Sequence, residues 1–447
     1  MVARRNDKAL NQYLAFQLSL DDQTLFEGIN RVMPGHYFLG AGHEVKQKSA
    51  YWDTAYRISS SINEDSLLEE IRHTLEDSVR LQLRSDVPLG AHLSGGLDSS
   101  LVSVLASQQS DSPVSLFHGK FEEDISYDES HYAKIVAKKT KGVLHEIIPN
   151  ADDFVRDLPK LIYALDEPVA GPGLFPQHAV SKLAKEHTKV VLGGQGGDEI
   201  FGGYPWRYYK SSNSQDFEEF IDSYYLYWQR LIDNKDIKNL LKPIWNDVKD
   251  VWTRDIFRNV FFDHEIALDT STDYINHSLY FEAKTFLHGL LLIEDKISMS
   301  FGLENRVPFL DNDLVDFAMS CPLNLKLKNL ENNLRIDENF FGNKEKKYFQ
   351  KTNDGKQILR EALSKYLPDG ITSAQKQGFS SPDATWFKGQ SIGWVKGKLF
   401  NKNAKIYEFL DYNTSISLLN DHITGKKNRR LFIWSLLNLD EYLNQYV

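Results

Sequence analysis

The 447-residue sequence contains a single cysteine, Cys321. No disulfide can form within the chain, which fits a reducing compartment. No apolar run reaches membrane-spanning length; the densest, residues 290–293, falls far short of the roughly 20 residues a helix needs. Basic charge is not in excess either. Lys and Arg number 52 against 62 Asp and Glu, a net charge of −10 that argues against binding nucleic acid through a general basic surface. Arg4 and Arg5 stand near the start, but no apolar segment follows, so a secretory leader is not expected. Internal repeats and low-complexity tracts are lacking as well. What is there is 41% hydrophobic, 12% aromatic and 26% charged, ordinary globular material long enough for two or three domains. The expectation is a soluble cytoplasmic protein with neither membrane nor nucleic-acid partners.

The first 55 residues hold only short apolar runs between turn signals: Tyr13-Leu-Ala-Phe16, Thr24-Leu-Phe-Glu-Gly28 and Met33-Pro-Gly-His-Tyr-Phe38. That is too little for an independent core. A polar stretch at 57–63 follows. Asn63 then reads as an N-cap, with Leu67, Leu68, Ile71, Leu75 and Val79 at helical spacing. Strand signals at 89–93, 114–117, 144–148 and 189–192 alternate with helical segments from Leu101, Tyr127 and Leu174. This alternation predicts an α/β fold with a doubly wound, mostly parallel sheet. From 217 to about 315 the pattern is helical, with a strongly amphipathic stretch at 279–300. The tail from Asn353 also reads as helix, including Gly355-Lys-Gln-Ile-Leu-Arg360.

Chemistry concentrates in Ser94-Gly-Gly-Leu-Asp-Ser-Ser100, between a strand and a helix. Glycines let the backbone approach a ligand, and the N–H groups of the first helical turn point at it, so the pattern suits an anion. Ser94, Ser99 and Ser100 add hydroxyls, and Asp98 a carboxylate able to hold a metal ion. The Gly-Lys-Ser/Thr ending of a Walker loop is absent, and the Rossmann fingerprint has no such serine–aspartate cluster. A structural glycine turn is the plain alternative. A second turn, Gly193-Gly-Gln-Gly-Gly-Asp-Glu-Ile-Phe-Gly-Gly203, also follows a strand. Both are therefore expected at one crevice, at the carboxyl ends of strands where their order reverses.

Residues 94–100 match the pyrophosphate loop of ATP pyrophosphatases, which have the adenine nucleotide alpha hydrolase-like fold. With residues 193–203, Ser300-Phe-Gly-Leu-Glu-Asn-Arg-Val-Pro-Phe-Leu-Asp311 and Gln375-Lys-Gln-Gly-Phe379, in that order, nearly the whole chain resembles the glutamine-dependent asparagine synthetases. Tyr13-Leu-Ala-Phe16 and Pro34-Gly-His36 resemble the last strands of that family's glutaminase domain. The resemblance thus implies a short β remnant of that domain at 1–55 and a synthetase domain with added helices at 62–447.

It further implies an amide-forming ligase. ATP adenylates a carboxylate, with aspartate as the first expectation, and ammonia converts the adenylate to an amide, AMP and pyrophosphate. ATP and Mg²⁺ are the implied cofactors. Ser94, Gly95, Gly96, Ser99 and Ser100 fall where the family holds pyrophosphate, and Leu93, Gly119, Gly193 and Gly194 where its backbone meets adenine and ribose. Asp98 and Asp198 match the magnesium pair. Lys376 matches the lysine that stabilises the adenylation transition state, where a cation offsets charge on the α-phosphate; without the match it reads as a surface lysine. Glu199 reads equally as a helix N-terminal acid. Glu304, Arg306 and Asp311 read more as architecture than as chemistry. Asp166, Glu167 and Asp128 read as crevice lining or caps, and Trp206, Tyr208 and Cys321 as packing.

Two departures stand out. The family's glutaminase uses an N-terminal cysteine, whereas Met1 is followed here by Val2 and the one cysteine lies deep in the synthetase part. Glutamine hydrolysis is not expected without a nucleophile, and ammonia is expected from solution or from a separate glutaminase subunit. Second, Gln195, counted with Lys376 as catalytic, stands where aspartate-using members carry glutamate. It keeps hydrogen bonding but cannot act as a base. That opens other acids, such as a sugar uronic acid in surface polysaccharide synthesis. Readings from other classes are thiolation of RNA, opposed by the acidic balance and the lack of paired cysteines, and a non-catalytic nucleotide-binding partner subunit, opposed by Asp98, Asp198 and Lys376. A homodimer is left open.

Overall fold

The computed structural model describes residues 4–447 apart from 43, 55, 57, 59–62, 123–128, 170, 172, 210–212, 263–267, 330–353, 374–385, 388 and 390. Among the described residues there are seven strands. The first two, β1 (His36–Ala41) and β2 (Glu44–Ala50), form an antiparallel hairpin. The other five, β3 (Leu89–His92), β4 (Ser115–Gly119), β5 (Val143–Ile147), β6 (Val190–Leu192) and β7 (Glu304–Arg306), form one sheet in the order β5-β4-β3-β6-β7. Every neighbouring pair is parallel. The chain builds outward from β3 to β5, then returns to add β6 and β7 on the other side. Strand order therefore reverses between β3 and β6.

Parallel strands need crossovers, and the crossover helices cover both faces. On one face Ala91, Leu116 and Leu192 share an apolar cluster with Leu75, Val102, Ala106 and Val136, which lie on the helices Glu64–Gln82, Leu97–Gln108 and Ser130–Thr140. On the other, Phe117 and Val191 meet Val180 and Ala184 of the helix Leu174–Ala184, together with Leu303. The fold is thus mixed α/β around a five-stranded parallel sheet, as the alternation predicted. Local rules account for the helices. Asn63 caps Glu64–Gln82 by accepting the Asp65 N–H at 3.1 Å, and Leu67, Ile71, Leu75 and Val79 behind it are buried. Each such side chain contributes about 2 kcal/mol relative to exposure.

The amphipathic stretch before residue 300 is a longer helical run than its pattern suggested. Ser271–Phe281 passes through a π turn at Glu282–Phe286 into Leu287–Ser300. Glu282, at the start of the π turn, is 0% exposed. Its carboxylate pairs with Arg207 at 3.2 Å and accepts from Tyr224 at 3.1 Å and Tyr208 at 3.3 Å. A buried charge requires such compensation, and π turns accommodate the one extra residue that points it inward.

The front of the chain corrects one expectation. Tyr13-Leu-Ala-Phe16 is not a strand but the end of a helix, Asp7–Phe16. The Asn6 side chain starts it, accepting the N–H groups of Lys8 and Ala9 at 3.2 Å each. Every residue from Ala9 to Phe16 is buried, so no polar face marks the helical period. Ala15 and Phe16 join the cluster on one face of the sheet, whereas Leu10, Tyr13 and Leu14 join a second core around Phe154, Trp386 and Trp434. The Tyr13 hydroxyl donates to the Ser435 carbonyl at 3.1 Å on the C-terminal helix Arg430–Tyr446. The β structure expected in this region is the β1–β2 hairpin, which follows Pro34-Gly. Among the described residues no helix is long and apolar enough to cross a membrane.

Candidate active site

The two glycine-rich turns meet where strand order reverses. The first leaves β3 and enters the helix Leu97–Gln108. Gly95 takes φ +97°, a conformation that suits glycine, and a Cβ there would lie 2.8 Å from the Glu129 carbonyl oxygen. The Ser94 Oγ accepts the Gly96 N–H at 3.2 Å and lies 3.0 Å from the Ser99 Oγ. Ser99 also donates to the Gly96 carbonyl at 3.2 Å. These bonds fold the turn tightly over the first helical turn, where the unpaired N–H groups of a helix concentrate. Ser100 is fully buried, and its hydroxyl has no hydrogen-bond partner among the described residues.

The second turn leaves β6 and presses on the first. A Cβ at Gly194 would sit 2.8 Å from the Ser99 nitrogen, and one at Gly197 would sit 2.8 Å from the Asp98 carboxylate. Glycine is the residue that permits this approach. Asp98 and Asp198, each 8% exposed, are thereby brought to one place from separate loops. Lys356 lies between them. Its Nζ donates to Asp98 and is 2.6 Å from the Asp198 Oδ1, and Lys356 is itself 3% exposed. Its backbone, at φ +58°, donates to the Phe201 carbonyl at 3.2 Å, and Gly355 packs on Gly202 closely enough that a Cβ would fall 2.3 Å from the Gly202 oxygen. Arg360 stands on the helix that begins after Lys356. Burial lowers its pKa, opposed by the fields of Asp98 and Asp198.

Hard carboxylate oxygens facing one cationic point are a donor set that suits Mg²⁺, and the Lys356 ammonium marks that point. Among the described residues no three His, Cys, Asp or Glu side chains form a metal cage. A divalent ion here would therefore take its remaining ligands from phosphate or water, as Mg²⁺ commonly does.

The other expected residues sort by position. Leu93 and Gly119 lie at the carboxyl ends of adjacent strands; the Leu93 N–H donates to the Phe117 carbonyl at 2.9 Å, and the Leu93 carbonyl oxygen lies 2.8 Å from the His118 Nδ1. Gly193 and Gly194 follow β6 directly, so all four lie at the carboxyl ends of the neighbouring strands β4, β3 and β6. Glu199 is buried and accepts from the Tyr204 hydroxyl at 3.2 Å, and burial followed by the field of Glu199 raises the Tyr204 pKa. Lys376 and Asp128 lie outside the described residues. Several candidates are held in tertiary contacts. Glu304 pairs with Arg306 at 2.6 Å, Arg306 donates to the carbonyls of Gln82 and Arg84, and Asp311 caps the helix Asn312–Ser320. Asp166 pairs with Lys296 at 3.0 Å, and Glu167 with Arg31 at 2.7 Å. Trp206, Tyr208 and Cys321 are buried.

Gln195 faces an unexpected neighbour. Its Nε2 donates to the Glu294 Oε2 at 2.7 Å, and Glu294 is 2% exposed on the helix Leu287–Ser300. Sequence reasoning passed over both Glu294 and Lys356. Glu294 had one usable signal, an acid placed directly after the most apolar run of the chain. Lys356 had less, a lysine after Asp-Gly where a helix starts.

The sequence is similar to that of known proteins. Residues 70–444 match the family model described as asparagine synthase. Relatives include asparagine synthetase 1 (glutamine-hydrolyzing) of Bacillus subtilis strain 168, 27% identical over 96% of this chain and 67% of the relative. Asparagine synthetase 3 (glutamine-hydrolyzing) of the same strain is 25% identical over 87% of this chain and 60% of the relative. The amidase chyE of Penicillium rubens is 24% identical over 89% and 65%. The chain thus spans 60–67% of the length of these three relatives.

Proposed function

Because this chain belongs to the asparagine synthase family, we propose that it is an ATP-dependent amide-forming ligase that adenylates a carboxylate and passes the acyl group to ammonia. One observation carries the reading: Asp98 and Asp198, from two glycine-rich turns at the strand-order reversal, converge on Lys356 beside the N-terminus of the helix Leu97–Gln108. A triphosphate brings several negative charges, and this arrangement supplies N–H groups, hydroxyls and a cation to receive them.

In this reading the turn at 94–100 holds the β- and γ-phosphates through its N–H groups and the hydroxyls of Ser94, Ser99 and Ser100. Leu93, Gly119, Gly193 and Gly194 hold adenine and ribose. Asp98 and Asp198 would hold Mg²⁺, which when bound supplies neutralisation of the charge on departing pyrophosphate. Lys356 contributes a fixed ammonium on the same charge, and Lys376 one on the α-phosphate and acyl oxygen. Burial strengthens the effect of Lys356, since charges interact more strongly away from water. Residues 1–55 in this reading derive from the front domain of longer relatives, and ammonia comes from solution or a separate glutaminase subunit. Aspartate is the first acid to test. Gln195 favours trying a sugar uronic acid beside it, because the carboxamide there changes what the crevice offers a substrate.

The test is ATP–pyrophosphate exchange with Mg²⁺ across a panel of acids including aspartate and glucuronate. Exchange that depends on one acid is expected, and Asp198→Asn should lower it at least 100-fold. Absence of exchange with every acid, with ATP bound, would leave a nucleotide-binding partner subunit instead.

A further inference from the structure

The crevice carries a second polar cluster that the phosphate reading does not use. The Glu294 carboxylate is 2% exposed, and one of its oxygens accepts from Gln195 at 2.7 Å. The other, Oε1, is buried with no hydrogen-bond partner among the described residues. The His92 Nδ1 lies 3.6 Å from it, beyond hydrogen-bonding distance. The Gln195 Oε1 and both polar side-chain atoms of Asn305 are also buried without partners. These residues are contiguous. A Cβ at Gly193 would lie 2.1 Å from the Gln195 Oε1 and 3.2 Å from the Asn305 Oδ1, so both oxygens converge on that one glycine. Gly194, the residue between Gly193 and Gln195, touches the backbone of Asp98 and Ser99. The cluster therefore adjoins the phosphate turn.

Three buried oxygens without donors, one of them on a carboxylate, are costly: an unmet buried acceptor costs about 1–3 kcal/mol and a charged one more. A compact cationic donor removes that cost. The geometry points to a subsite for an ammonium group, bounded by Glu294, Gln195 and Asn305 at the strand ends, with Glu294 as its counter-charge. The inference rests on the ligase reading for its setting. Two sources of this chemistry fit, the free ammonium ion as co-substrate and the α-ammonium of an amino-acid substrate. Glu294→Gln separates them, because glutamine keeps the shape and can still accept from Gln195.

With free ammonium as the ligand, Glu294→Gln raises the KM for ammonium at least tenfold and leaves acid-dependent ATP–pyrophosphate exchange unchanged. With a substrate ammonium, it raises the KM for aspartate in the exchange assay and leaves glucuronate unaffected. Glu294→Asp recovers part of either effect. A variant in which no KM moves overturns the subsite. Thermal unfolding in ammonium chloride against sodium chloride and in aspartate against succinate, at matched ionic strength, reads the subsite without turnover. The unaltered chain should melt higher in ammonium chloride or in aspartate, and Glu294→Gln should not. Exchange absent with every acid overturns the ligase reading alone, and the melting comparison then decides the subsite: no difference in either pair of solutions overturns it.

Discussion

The Lys356 Nζ lies 2.6 Å from the Asp198 Oδ1, in a pocket where both residues are more than nine-tenths buried. The same ammonium reaches Asp98 on the other turn. One lysine therefore offsets two carboxylates that would otherwise repel each other away from water.

Replacing Lys356 by methionine should have two measurable effects. Removing one partner from a buried ion pair costs about 3 kcal/mol, because the remaining charge stays desolvated. The melting temperature should fall, and Mg²⁺ should raise it more in the variant than in the parent, since the ion replaces the missing charge. Exchange should drop at least 100-fold. A variant that melts like the parent would show that the carboxylates do not depend on this lysine.

Gly194→Ala tests the contact between the turns. Its methyl would meet the Ser99 nitrogen at 2.8 Å, and backbone cannot yield as a side chain does. Overpacking of this kind costs about 1–3 kcal/mol. Exchange should fall roughly tenfold or more, the penalty for shifting a positioned group, while circular dichroism remains that of the folded protein.

Acid should weaken the fold through buried histidines. Burial lowers the pKa of His277 to about 4, and also that of His178 and His288 to about 4. In the unfolded chain each titrates near 6.5. Between those values the unfolded chain binds more protons, so stability is present above about pH 6.5 and is lost as pH falls toward 4. His277 stacks on Phe261 with centroids 5.7 Å apart. His277→Phe should flatten the dependence of melting temperature on pH in this window. An unchanged slope would assign acid sensitivity to other groups.

The packing of the front helix predicts that it unfolds with the body. Leu10 is 0% exposed in the second core. Leu10→Ala should cost about 3 kcal/mol and lower the urea midpoint of the main transition. An unaffected main transition would mean that residues 7–16 fold as a separate unit.

These residues also mark what the sequence made legible. The turns at 94–100 and 193–203 could be read because their chemistry is local: glycines, hydroxyls and carboxylates stand at fixed short spacings between a strand and a helix. The parallel sheet followed from alternation of strands and helices, whereas the strand order that puts the switch between β3 and β6 is set by tertiary pairing. Lys356 and Glu294 could not be found that way. Lys356 lies 258 residues from Asp98 and Glu294 lies 99 from Gln195, and only tertiary packing makes either pair. The helix Asp7–Phe16 was misread for another reason. It is enclosed by two cores, so it lacks the polar stripe by which a helix is told from a strand, although its Asn6–Asp7 start was visible. Strand β7 was hidden by brevity, three residues inside a motif that otherwise reads as a helix end.

The π turn at Glu282–Phe286 also fixes rotational phase. An α-helix advances about 100° per residue, and a π turn holds one residue more than a regular turn. Deleting a single residue there would leave the helix Leu287–Ser300 intact but turn it about its axis by roughly a quarter revolution or slightly more. Glu294 would then swing away from Gln195, and Ile293 and Ile297 would leave the core they fill. A segment three turns upstream thus works as an indexing notch, setting which side chain the helix delivers to the crevice.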